Sequence, residues 1–423
     1  MEKDGVSLRQ LSNGLTVIAM PLHDIETVSV GLLAGAGARL ERPGELGGSR
    51  VLEHWIWDGL SAGLAELGVY KKSAPNVEWT RFWATTLAPH FAGLLRFILQ
   101  AASSPGLAEH SFAAYRSLAA HQAAVRENEP QASAADLLRQ AMAGDHPAAR
   151  PAYGQSGHYT HLDPHTVRVV FERLYHPANC VLAVVGNYPA RQLEEELDIC
   201  QERWNGDAAL QAASKLTLGP APQWTPGVAA REREANQVHL ALGIPAVPYD
   251  DPAFFPVAVL AQIIGGGDGS RLYQELRQRR GLVYQIRSSV TSFRDSGLMT
   301  IQLGSRRDSA LQALEQIRLE LECLERLGVT EAEVQTARNQ LIRQMVMRSE
   351  STVARMNTLL TSGWYPEYPR SLAAMRQAIE AVTVQRVREV IERFPLSGSF
   401  GIASVGPLAE SELKAGAVYG GGK

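Results

Sequence analysis

The sequence predicts an α+β protein built from two copies of one domain in tandem. Three observations carry this expectation: a repeated segment, a stretch of linker composition near the middle, and apolar patterning that mixes strand-like and helix-like runs in each half. Residues 167–186 (VRVVFERLYHPANCVLAVVG) align without a gap on residues 387–406 (VREVIERFPLSGSFGIASVG), with eight identities in 20 positions at an offset of 220. Self-similarity at a fixed offset marks a duplicated unit. Each copy reads as an apolar-striped helix, a turn and a buried strand. Residues 205–227 combine Gly, Ala and Ser with three prolines, the composition of a linker. The expected division is an N-terminal domain at 1–204, a linker at 205–227 and a C-terminal domain at 228–423.

The first half opens with strand-like residues 15–36, followed by an apolar, helix-like segment that contains residues 51–57. The second half repeats that order with residues 238–247 and 254–264. Further along, Leu311, Leu314, Ile317, Leu321 and Leu324 recur at helical spacing. Thr330 and Glu333 then form a capping box that opens the next helix. Strands and helices mix without clean βαβ alternation, which is the α+β pattern.

The chain has 423 residues, room for two or more domains. Hydrophobic residues make up 45% and charged residues 20%, a globular balance. A net charge of −3 provides no large positive field, so nucleic acid is not an expected partner. Cys180, Cys200 and Cys323 are odd in number, widely spaced and without a CxxC pair. They read as reduced, buried thiols in a reducing compartment. The N-terminus carries both signs of charge, and no signal-like or membrane-spanning apolar run is visible. A cytoplasmic location is expected.

Two local patterns carry chemistry. The run Arg50-Val51-Leu52-Glu53-His54 resembles the inverted zinc motif, His-x-x-Glu-His, of the pitrilysin/insulinase metallopeptidases. Its flanks are similar too: Leu11-Ser12-Asn13-Gly14-Leu15 resembles the family's first strand entry. Gly35-Ala36-Gly37-Ala38-Arg39 with Glu45-Leu46-Gly47-Gly48 resembles the approach to the zinc helix. In that family two histidines on one helical face hold zinc, and the glutamate activates the attacking water. Here the first histidine position is Arg50, a permanently protonated group without a lone pair. Glu53 and His54 match the base and second-ligand positions. The family's third ligand is a glutamate upstream of a charged run that ends in proline. Residues 126–132 look like that run, and counting back places Gln122 at the ligand position. A neutral amide is a poor zinc donor. No metal is therefore expected in this chain. Glu53 and His54 are expected to be remnants in a packed helix, bonded to each other or to Arg50. His158, His161 and His165 cluster in sequence but read as a polar loop, with Asp163 capping a helix that starts at Pro164.

The second pattern is GGGDGSRLYQELRQRRGLVY, residues 265–284, which resembles a glycine-containing stretch of the family's second domain. In the family it ends in an arginine and a tyrosine seven residues apart, and Arg277 and Tyr284 match those positions. Such a pair can stabilise a developing oxyanion or grip a substrate backbone. Gly265, Gly266, Gly267 and Gly269 are the implied substrate-binding glycines. The loop fits neither a phosphate-binding loop nor a dinucleotide fingerprint.

The resemblance implies two α+β domains, each a mostly antiparallel sheet with helices on one face. Two such chains would close as a clamshell, with zinc in a homologous partner subunit. It also implies a non-catalytic subunit that binds peptide and completes the partner's site, as in processing peptidases for mitochondrial precursors or for the pyrroloquinoline quinone precursor. A purely structural peptidase-derived subunit and an active peptidase with an unorthodox site (His54, Glu53 and a histidine such as His121) are the alternatives.

Overall fold

A computed structural model describes residues 2–3, 5–59, 68–204, 218–369, 371–398 and 400–418. The first half contains strands β1 (Glu2–Lys3), β2 (Val6–Gln10), β3 (Thr16–Pro21) and β4 (Thr27–Ala34), then helix α1 (Gly48–Gly59). Strands β5 (Tyr70–Pro75) and β6 (Thr80–Leu87) follow, then helices α2 (Phe91–Ser103), α3 (Glu109–Asn128), α4 (Pro130–Ala143) and α5 (Pro164–Leu174). Strand β7 (Cys180–Gly186) and helix α6 (Ala190–Arg203) complete it. The second half contains β8 (Val228–Glu232), β9 (Val238–Ala246), α7 (Phe254–Gly265), a π-helical turn (Tyr273–Arg279), β10 (Val283–Ser292) and β11 (Gly297–Ser305). It ends with α8 (Arg307–Leu327), α9 (Glu331–Ser349), α10 (Thr352–Trp364), α11 (Leu372–Glu380), α12 (Val384–Arg393), β12 (Gly401–Gly406) and α13 (Glu410–Val418).

The two sheets show the duplication. One has the order β1-β2-β3-β7-β4-β6-β5 and the other β10-β11-β9-β12-β8. Read in one direction, β3-β7-β4-β6-β5 and β8-β12-β9-β11-β10 are the same topology. Each contains one parallel pair, β3 with β7 and β8 with β12, in an otherwise antiparallel sheet. The aligned segments become α5–β7 and α12–β12, whose helices begin 220 residues apart at Pro164 and Val384, as the repeat requires. Asp163 and Thr383 cap them, each accepting from the backbone N–H three residues on, at 2.7 Å and 3.2 Å. Thr330 caps α9 through the expected box, with its N–H on Glu333 at 2.8 Å.

The chain folds into two compact units that follow contacts, not chain order. One comprises Met1–Val125, Pro151–Gly219 and Val346–Ala374; the other comprises Arg126–Arg150, Pro220–Met345 and Met375–Lys423. Helix α4 thus belongs to the second unit and α10 to the first. Residues 205–217 of the expected linker lie outside the described residues.

The two exchanged helices amend the expectation of helices on one face. In β4, Val28, Val30, Leu32 and Ala34 point into the main core with α1 and α2. The alternate residues point the other way. There Ser29 bonds Thr352 of α10 at 2.8 Å, and Gly31 lets Met356 approach so closely that an added Cβ would lie 2.5 Å from its sulfur. In the second unit Val238, Leu240, Leu242 and Ile244 of β9 face the core, while Gly243 faces Met142 and Leu138 of α4. Both sheets are therefore covered on both faces, the second face by a helix from the other repeat. The physical reason is burial: these antiparallel strands are apolar or small on both sides, so neither face suits water.

Candidate functional site: a closed zinc motif and an exposed arginine–tyrosine pair

Helix α1 places the residues of the zinc-like motif. Val51, Leu52, Trp55 and Ile56 bury its core side, and Trp55 meets Phe112 of α3 edge-on, with ring centroids 5.1 Å apart. This contact sets α3 beside α1, so Gln122 comes to Arg50, Glu53 and His54. The four residues singled out from the sequence are together. The Arg50 guanidinium donates to the Glu53 carboxylate through Nη1 and to Gln122 Oε1 through Nη2. His54 Nε2 lies 2.9 Å from the same Gln122 oxygen. An amide oxygen only accepts, so this contact suits the tautomer that donates from Nε2. The Tyr153 ring closes the far side, 4.7 Å from the guanidinium carbon.

A zinc ion does not fit this donor set. Arg50 offers no lone pair, and the Gln122 amide oxygen, a poor zinc donor, is already taken by the Arg50 guanidinium. The Arg50 and Glu53 side chains are 7% and 1% exposed, so a desolvated ion pair occupies the interior. The guanidinium supplies there a positive charge that links α1 to α3. Among the described residues no group of three or more His, Cys, Asp or Glu could hold a metal ion. His121 is exposed, and His158 and His161 lie in a short 3₁₀ segment before the Asp163 cap.

The second unit places the other pair. Gly265 ends α7, where an added Cβ would meet Ser288 N of β10 at 2.8 Å. The Gly266 carbonyl accepts from Gln262 Nε2 at 2.6 Å, and Gln262 also bonds Gln340 of α9 at 2.7 Å. Gly267 takes φ +151° and Gly269 is exposed. The loop is thus fixed from beneath by α7 and α9. Arg277 then sits on the π-helical turn and Tyr284 at a β-bulge, since Val283 pairs with Ser305 but Gln285 with Gly304. Both irregularities re-aim side chains and recur at functional sites. Arg277 is exposed and Tyr284 is 51% exposed. Neither makes a hydrogen bond or ion pair among the described residues.

Sequence reasoning missed Tyr153, which reaches Arg50 from 103 positions away in a loop without a local signal. It also missed Tyr273, four residues before Arg277, whose ring lies 5.0 Å from the Arg277 guanidinium carbon. The spacing of those two was readable. Cys180 and Cys200 are free and buried, and burial pushes the Cys200 thiol up to about 11 and the Cys180 thiol further, so neither is a poised nucleophile.

Residues 162–341 match the family described as Peptidase M16 inactive domain. An uncharacterized zinc protease of Streptomyces coelicolor is 26% identical over 415 residues, covering 95% of this chain and 90% of the relative. Among solved structures, a peptidase M16 inactive domain from Pseudomonas fluorescens superposes with a TM-score of 0.84 at 19% identity, covering 96% of this chain and 98% of the other. A chain of complex III2 from Candida albicans does so with 0.78 at 18% identity, covering 98% and 100%. The chain is thus similar in sequence to proteins named as zinc proteases, and over residues 162–341 to the M16 inactive domain.

Proposed function

We propose that this chain is the non-catalytic subunit of a two-subunit zinc peptidase: it binds an extended peptide or precursor and supplies Arg277 and Tyr284 to a homologous, zinc-bearing partner. The observation that carries the proposal is the closed motif, where the Arg50 guanidinium engages both Glu53 and Gln122. The exposed pair in the second unit, whose polar groups are unused among the described residues, supports the substrate role, with Gly265, Gly266, Gly267 and Gly269 shaping the approach. A fixed cation and a phenolic donor suit a substrate carbonyl whose oxygen gains charge during hydrolysis. The reduced thiols fit a cytoplasmic setting. Among the described residues no helix is long and apolar enough to cross a membrane.

The test is peptidase activity with metal analysis, on the purified chain alone and mixed with the closest zinc-motif homologue from the same genome. Activity confined to the mixture, lost with Arg277→Ala, is the expected result. Stoichiometric zinc and activity in the chain alone would overturn it and favour an unorthodox metallopeptidase. The likeness to a chain of complex III2 favours a second reading, a purely structural subunit. An inert mixture in which the two chains still associate would support that one.

A further inference from the structure

The π-helical turn carries Arg277 and Arg279, Arg280 follows it directly, and the three are not equivalent. Glu275 accepts from Arg280 Nε at 2.7 Å and from Arg279 Nη1 at 3.0 Å. These bonds, Arg280 foremost, hold its carboxyl below the usual carboxylate range. Reaching both at once depends on the wide turn: the Arg280 N–H closes on the Glu275 carbonyl at 3.2 Å, an i to i−5 bond. In an α-helix the side-chain neighbours of residue i are i+3 and i+4, and i+5 falls off that face. Leu272 and Leu276, at 1% and 0% exposure, anchor the turn in the core.

Arg277 lies between these two ties and shares in neither. Its guanidinium rests over the Tyr273 ring, a contact that restrains the side chain and uses none of its N–H donors. We infer that Tyr273 and Glu275 are positioning and specificity-determining residues for an Arg277 site that takes one carbonyl or one carboxylate of a peptide. Tyr273 aims the guanidinium, and Glu275 ties back the two neighbouring arginines that would otherwise attract polyanionic peptides. The inference rests on the substrate role of Arg277 proposed above and adds which ligands that site rejects.

Fluorescence anisotropy tests it, with the full chain and two labelled peptides, one short and neutral and the other its glutamate-rich counterpart. Arg277→Ala is expected to weaken both by about tenfold or more, the loss of a charge-assisted bond. Tyr273→Leu is expected to weaken both about two- to fivefold, with Tyr273→Phe matching the wild type because the ring is kept. Glu275→Gln is expected to strengthen binding of the glutamate-rich peptide several-fold and leave the neutral one unchanged. A misfolded variant cannot produce that gain. Wild-type behaviour of both Tyr273→Leu and Glu275→Gln, with Arg277→Ala impaired, would overturn this inference and leave the Arg277 role standing. An unimpaired Arg277→Ala, or a wild-type chain that binds neither peptide, would remove both.

Discussion

At the Arg50 position one side chain replaces a ligand with a cation, and its neighbours adjust to it. Removing the guanidinium strands the Glu53 carboxylate in a site where it is 1% exposed. Breaking one side of a buried pair costs about 3–5 kcal/mol. Arg50→Ala is therefore expected to lower the unfolding free energy by that order in a denaturant titration. Arg50→Met combined with Glu53→Leu removes both charges and is expected to lose far less. The complementary prediction restores donors: Arg50→His with Gln122→Glu is expected to gain zinc in elemental analysis, and either change alone to gain none. These four residues were legible through the resemblance to the inverted zinc motif and its third-ligand position, and α1 and α3 bring them together. Tyr153 was not, since nothing local tells a loop tyrosine which guanidinium it will cover. One buried histidine, His176, and one half-buried histidine, His239, set a pH dependence. Burial lowers the imidazole pKa of His176 and, as the foremost cause, of His239. A depressed folded-state value means that the unfolded chain takes up the proton first. Stability is then full above the ordinary imidazole pKa, about 6.5, and declines as pH falls from there toward the lowered values. Denaturation midpoints at neutral and mildly acidic pH should show the decline, and His176→Gln with His239→Gln should flatten it.

Element by element, the repeat explains matched features. Strands β7 and β12 both end in a glycine with positive φ, +133° at Gly186 and +142° at Gly406. An added Cβ would lie 2.3 Å from Thr27 O in the first case and 2.6 Å from Gln237 O in the second. Backbone cannot retreat as a flexible side chain can, so Gly186→Ala and Gly406→Ala are each expected to cost more than about 1 kcal/mol. Thermal or chemical unfolding checks this, and a neutral result at either site would break the equivalence. Capped helix starts were readable because a cap is a contact across three residues. The π-helical turn and the bulge at Tyr284 were not. The first depends on seating Leu272 and Leu276 in the core, and the second on the ladder to β11.

For the whole molecule, the proposed division of labour separates stability from function. Arg277 is exposed and makes no hydrogen bond or ion pair among the described residues, only its contact with the Tyr273 ring, so Arg277→Ala should leave unfolding within about 0.5 kcal/mol of wild type. The same change should abolish activity of the mixture with the zinc-bearing homologue. Arg50→Ala should do the reverse at temperatures where the chain stays folded, keeping the partner's activity while shifting the unfolding midpoint. Parallel behaviour of the two variants in both assays would contradict the division.

The amino-acid sequence by itself determined the duplication, the α+β class and the caps, because each is carried by short-range spacing or by the chemistry of single residues. Only the tertiary structure decided which sheet each helix covers. An apolar helical stripe states that a helix is buried but not against what, and α4 and α10 each pack on the sheet built largely by the other repeat. The tertiary structure also decided which arginine of the π-helical turn remains available, since that depends on how far Glu275 reaches across a turn whose width the core imposes.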